Sequence, residues 1–126
     1  MSQSPFFIIV AIVSALFGLA FLFIPDQLAV WYGATVDDAS RQMGRLFASA
    51  LIAVTIIYFM ARDLGASAAL TGLLWGGLVF TVIDVVLDFM ATTAGMVNAL
   101  GWVTLVVHLL LAAGFAYLLF AKPAQT

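Results

Sequence analysis

Four long apolar runs, each closed by a turn residue or a charge, leave this chain few folds to choose from. They extend from Phe6 to Ile24, from Met43 to Ala61, from Ala68 to Ala91 and from Ala99 to Phe120. A helix rises about 1.5 Å per residue, so the first run alone spans roughly 28 Å and can cross a hydrocarbon core. Composition agrees. The chain is 66% hydrophobic and 8% charged, with a mean hydropathy of +1.24. Soluble domains carry about 25% charged residues, and one this small could not hide so much apolar surface. The partner implied for most of that surface is membrane lipid. A formal charge of −2, from six Asp and no Glu against four Lys and Arg, gives no basic patch for nucleic acid. Cysteine is absent, which excludes disulfides, thiolate metal sites and dithiol redox chemistry.

The runs predict helices over about 5–24, 41–62, 67–91 and 98–120. Ser4 reads as the first N-cap with Pro5 at the first helical position, where a missing N–H does no harm. The segment before the first run lacks the positive stretch of a signal peptide, so the run is expected to stay in the protein as a membrane helix. Ala11, Ser14, Ala15 and Gly18 place small side chains on it at helical spacing. Pro25 ends this helix and begins a short interfacial one, Gln27 to Tyr32, stopped by Gly33. Trp31 and Tyr32 suit the membrane–water boundary as anchors. Thr35 reads as the next cap, with Asp37 and Asp38 favoured by the positive end of the helix dipole. A cation held by Asp26, Asp37 and Asp38 is conceivable, but capping and solvation outweigh it. Gly65 reads as a stop, and Ser67 and Asn98 as caps. Ala68, Gly72 and Gly76 form a small-xxx-small series for close helix packing.

Short connections make this one all-α domain, 1–126: an integral-membrane four-helix up-down bundle with both termini on the same side. Arg62 and Lys122 fall on that side, Arg41 and Arg45 on the other. Counting loop charges, with Arg45 taken as intramembrane, favours cytoplasmic termini by one charge.

Phe23-Ile-Pro25, Trp31-Tyr-Gly33, Gly44-Arg-Leu-Phe-Ala48, Met60-Ala-Arg62 and Gly101-Trp102 together resemble uncharacterised small four-helix bacterial membrane proteins, loosely DoxX-like. The resemblance covers most of the chain through short motifs, and departs from that group near Ser49, where Gly is often found. It implies a four-helix fold in the bacterial cytoplasmic membrane and transfers no catalytic residues.

Chemistry concentrates in Thr81-Val-Ile-Asp-Val-Val-Leu-Asp88. Asp84 and Asp88 are four residues apart, hence on one helical face, inside a membrane run. Ionisable groups at that depth are costly and turn towards partners. Measured from the end opposite the termini, Arg45 lies about 3–6 Å deep, Asp88 about 5 Å, Asp84 about 10 Å and His108 about 15 Å. Ser49, Thr81 and Thr104 lie one turn from these groups, and the whole set predicts one polar column. Two such carboxylates need a cation between them, and Arg45 is the expected one.

Three functions fit. A buried ion pair that fixes helix register makes the protein a non-enzymatic accessory or scaffold subunit, a homo-oligomer or part of a larger membrane complex. The same Arg, Asp and His groups are also the usual parts of a proton-coupled or small-solute transporter. Thirdly, an apolar ligand such as lipid, quinone or pigment could be bound. No cofactor is expected, the alternative being His108 as ligand to a pigment or haem, with room made by small neighbours. The chain has no nucleophile–base arrangement, phosphate loop or zinc spacing, which argues against an enzyme and against a metal site.

Overall fold

The structure, a computed structural model, describes residues 2–121. Lys122, used in the charge count above, lies outside them. Among the described residues there are five helices and no strand: α1 (Gln3–Phe23), α2 (Pro25–Trp31), α3 (Asp38–Ala61), α4 (Ala68–Thr93) and α5 (Leu100–Phe120). Four of them, α1, α3, α4 and α5, are long and apolar enough to cross a membrane. The chain divides into two compact units after Arg62.

The first unit, Ser2–Arg62, is an antiparallel hairpin of α1 and α3 with α2 in the connection. Small residues let the two long helices approach. Ala11, Ser14 and Gly18 are buried on α1, and a methyl group at Gly18 would lie 3.2 Å from Leu51 Cβ and 3.4 Å from the Ala48 carbonyl. That series is the one expected, apart from Ala15, which is half-buried. Aromatic rings fill the ends: Phe7, fully buried, meets Tyr58 edge-on at 4.9 Å, and Phe21 meets Phe47 at 5.6 Å. Gln3 Nε2 donates to the Ala61 carbonyl at 3.2 Å, so α1 covers one of the orphan acceptors at the end of α3.

Two expected caps move. Helix α1 begins at Gln3 with Ser2 as N-cap, not at Pro5 with Ser4. Proline is harmless anywhere among the first unpaired amides, so Pro5 does not mark the first residue. Helix α3 is capped by Asp37, not Thr35. Asp37 Oδ1 accepts from the Ser40 amide at 2.8 Å, and Ser40 Oγ accepts from the Asp37 amide at 3.0 Å. Each side chain thus satisfies an amide that the helix leaves unpaired. Asp26 and Asp38 both pair with Arg41, which joins α2 to the start of α3, so neither faces an open cation position.

The Ser40 hydroxyl and amide hold the Asp37 carboxyl below its ordinary value. A lowered folded value means the cap stabilises fully above the usual carboxylate range and fades as pH falls through the lowered one. Asp37→Ala should therefore speed hydrogen exchange at the Ser40 amide at neutral pH, and acidification should erase the difference between variant and parent.

Glycine ends two helices. After α2, Gly33 at φ +67° lets its own amide reach Val30 O and the Ala34 amide reach Ala29 O. After α4, Gly95 at φ +71° repeats the arrangement on Thr92 O and Ala91 O. Gly65 does not do this: its φ is not positive, and α3 has already ended at Ala61. Trp31 closes α2 about half exposed, and Tyr32 is half-buried.

The second unit, from Asp63 on, is the antiparallel hairpin of α4 and α5. Ser67 caps α4, accepting from the Leu70 amide at 3.2 Å; the N-cap position of α5 is Ala99, one residue after the expected Asn98, whose Oδ1 accepts from the Leu100 amide at 2.9 Å. Trp75 meets Phe120 and Phe89 meets Trp102, both edge-on, near the two ends of the pair.

Candidate functional site

On α4, the residues turned towards α5 recur at helical spacing: Leu74, Gly77 and Thr81 are buried, and Asp84 and Asp88 continue the line half-buried. Facing them on α5 are Gly101, Leu105, Leu111 and Phe115, all buried, with His108 half-buried between them. The three ionisable groups meet there. His108 Nδ1 lies 2.7 Å from Asp88 Oδ2, and Nε2 lies 3.5 Å from Asp84 Oδ2. The imidazole thus stands between the two carboxylates, the position the spacing argument assigned to Arg45. The side chains keep 20%, 17% and 23% exposure for His108, Asp84 and Asp88, so the cluster is enclosed on most sides without being sealed.

His108 sits higher than the depth estimate placed it, and the helix ends explain why. Helix α4 runs to Thr93 and α5 begins only at Leu100, each two residues beyond the expected boundary. Counted from these ends, His108 lies about 12 Å in, between Asp88 at about 8 Å and Asp84 at about 14 Å. The imidazole is level with the space between the carboxylates.

The other members of the expected column behave differently. Thr81 Oγ donates back to the Gly77 carbonyl at 2.8 Å, and Thr104 Oγ donates to the Leu100 carbonyl at 3.2 Å. Arg45 and Ser49 belong to α3, in the other unit. Arg45 is exposed and makes no ion pair within its hairpin among the described residues, and Ser49 Oγ donates to the Leu46 carbonyl at 2.7 Å. Towards the other end of α3, Thr55 Oγ donates to Leu51 O, and the Tyr58 ring is buried against Phe7.

The sequence reading named Gly101 as a small neighbour of His108 and Thr92 as a turn residue, but not their contact with each other. Thr92 is one turn beyond Asp88 on the same face, and its hydroxyl oxygen is fully buried without a hydrogen-bond partner. Gly101 faces it so closely that a methyl group there would lie 2.2 Å from Thr92 Oγ and 2.6 Å from Val97 Cγ2. The signal was present in the four-residue series Asp84, Asp88, Thr92 and in the seven-residue step from Gly101 to His108. The small-residue stripe points elsewhere. Ala68, Gly72 and Gly76 are exposed, and a methyl group at Gly72 or Gly76 would meet nothing within 4 Å. Gly77, not its neighbour Gly76, lies on the face packed against α5.

Chemically, the arrangement can hold protons and join helices. It is ill suited to ligating a macrocycle, because both imidazole nitrogens are directed at carboxylates. Among the described residues no group of three or more His, Asp or Glu side chains is placed to hold a metal ion. These features define an all-helical integral-membrane protein with an Asp–His–Asp cluster inside one helical hairpin. No protein-family model, curated protein or solved structure matches the chain.

Proposed function

We propose that the protein is a small, non-enzymatic accessory or scaffold subunit of the bacterial cytoplasmic membrane. In this reading it packs against further copies or a larger membrane complex, has both termini on the cytoplasmic side, and belongs with the DoxX-like group it resembles. The observation that carries the reading is the closure of the polar cluster. Asp88 bonds to His108 and Asp84 faces the same ring within one hairpin, and the neighbouring Thr81 hydroxyl bonds back to its own helix. A polar path through a membrane needs groups that hand on to one another, whereas a helix clamp needs only this closed set. The exposed Ala68, Gly72 and Gly76 face then remains for close contact with another helix.

The test is purification in mild detergent beside a proton-flux assay in liposomes. Defined oligomers or copurifying subunits are expected, with flux no greater than in empty liposomes. Gly72→Leu and Gly76→Leu should weaken that association while the thermal melt of the isolated protein stays near the parent's, because both positions are exposed and a carbon added at either meets nothing within 4 Å. The second reading, a proton-coupled transporter, is favoured by the titratable cluster itself. Flux that vanishes in Asp84→Asn would replace the scaffold with it.

A further inference from the structure

Residues 63–121, the whole described part of the second hairpin, contain no Lys or Arg. His108 is therefore the only side chain of that hairpin able to carry positive charge against Asp84 and Asp88. The remaining titratable groups stand apart: Asp63 precedes α4, and Tyr117 is more than two turns further along α5. With all three cluster members in their basic forms the site holds two negative charges in apolar surroundings, and the group that can relieve this from solution is a proton.

The two contacts of the ring are unequal, and the inequality says where that proton goes. An ionised carboxylate offers only acceptors, so the short 2.7 Å contact requires Nδ1 to carry hydrogen and donate to Asp88. A neutral imidazole has one N–H, so this bond fixes the tautomer and leaves Nε2 bare, facing Asp84 across 3.5 Å. That gap exceeds a hydrogen bond between two acceptors that have nothing to share, and a proton placed in it would give them one. We propose that Asp84 Oδ2 and His108 Nε2 form a proton-binding site, with Asp88 as the positioning residue that holds the ring in the receptive tautomer. Taking up one proton changes the cluster from two negative charges to one. It also adds a second bridge between α4 and α5, with the hydrogen resting on Nε2 and donated to Asp84 Oδ2. The hairpin is thereby a proton-responsive clamp, held by one bond when the site is empty and by two when it is filled. This stands on the hairpin alone and is independent of the scaffold reading.

The chain has a single histidine, which makes the site directly observable. The full-length protein, produced without a histidine tag, is labelled with 15N-histidine, placed in lipid bilayers and titrated by solid-state NMR. Nδ1 should stay protonated across the titration, while Nε2 passes from protonated to bare in one step as pH rises. Asp84→Asn should keep Nδ1 protonated but weaken proton binding at Nε2 by about tenfold or more, since a facing negative charge is lost. Asp88→Asn should release the tautomer, so that both nitrogens respond. A bare Nδ1 in the parent protein overturns the proposal without reference to any variant. So does an Asp84→Asn midpoint within about threefold of the parent in proton concentration, well short of one pKa unit.

Discussion

His108→Leu should cost the protein a measurable part of the about 3–5 kcal/mol that breaking a fully buried ion pair costs, since His108, Asp84 and Asp88 are half-buried. Among the described residues of this hairpin the ring is the group that meets both Asp84 and Asp88, and α4 and α5 carry no Lys or Arg to replace it. Leucine fills the space but offers no donor, so two carboxylates one turn apart would face an apolar surface and each other. Unfolding in mixed detergent micelles, followed by helical circular dichroism, reads the loss. The companion variant, with Asp84→Leu and Asp88→Leu added to His108→Leu, should recover most of it, because well-packed apolar groups can replace a buried ionic set at little cost. If the triple variant is instead less stable than His108→Leu alone, the aspartates contribute through something other than His108. Asp88→Asn should cost more than Asp84→Asn, because the contact it weakens is the shorter, 2.7 Å against 3.5 Å.

The pairing of Asp84 and Asp88 on one face was legible because carboxylates four residues apart in an apolar helix have one geometric reading. Their partner was harder to see. Depth along a helix is counted from its end, and two residues of error at each of two ends displaced His108 by just over a turn relative to α4. Arg45, a permanent cation near the same estimated level, was the expected partner, and it belongs to the other hairpin. The helix ends themselves depended on the local chemistry. Ser67 was recognisable as a cap, and Gly33 as a stop. Asp37 was not singled out, because its partner is a serine three residues on and the pattern sought was a carboxylate following a hydroxyl. Pro5 misled for the opposite reason, being tolerated through the whole first turn.

Small residues show the limit most clearly. Helix α4 carries Gly72, Gly76 and Gly77, and spacing alone favours the first two. In lipid, glycine at a helix surface is equally compatible with any neighbour, so the sequence cannot rank one stripe over another until a facing residue is known. The structure supplies that residue on α5: the close approach is made by Gly101 against Thr92, while Gly72 and Gly76 stand open.

That contrast yields a sharp expected result. Gly101→Leu should destabilise the protein by at least the roughly 1–3 kcal/mol typical of overpacking, and Gly101→Ala by a smaller but measurable part of it. Even one methyl group would fall 2.2 Å from Thr92 Oγ and 2.6 Å from Val97 Cγ2, distances that no real carbon tolerates, so the Thr92 and Val97 side chains must turn away or α5 must shift from the end of α4. The shift would be felt at His108, two turns along, by lengthening its 2.7 Å bond to Asp88. Removing the nearest obstacle should help only partly. Thr92→Ala takes away the clashing oxygen, which has no hydrogen-bond partner to lose, but leaves Val97 and the Thr92 Cβ position, 3.2 Å from the added carbon. The pair Gly101→Ala with Thr92→Ala should therefore fall between Gly101→Ala and the parent in a thermal melt. Gly72→Leu, on the open side of α4, should lie within about 0.5 kcal/mol of the parent in the same experiment. Equal losses at Gly72 and Gly101 would mean that the α4 face packed against α5 has been misplaced, and with it the placement of His108 between the two aspartates.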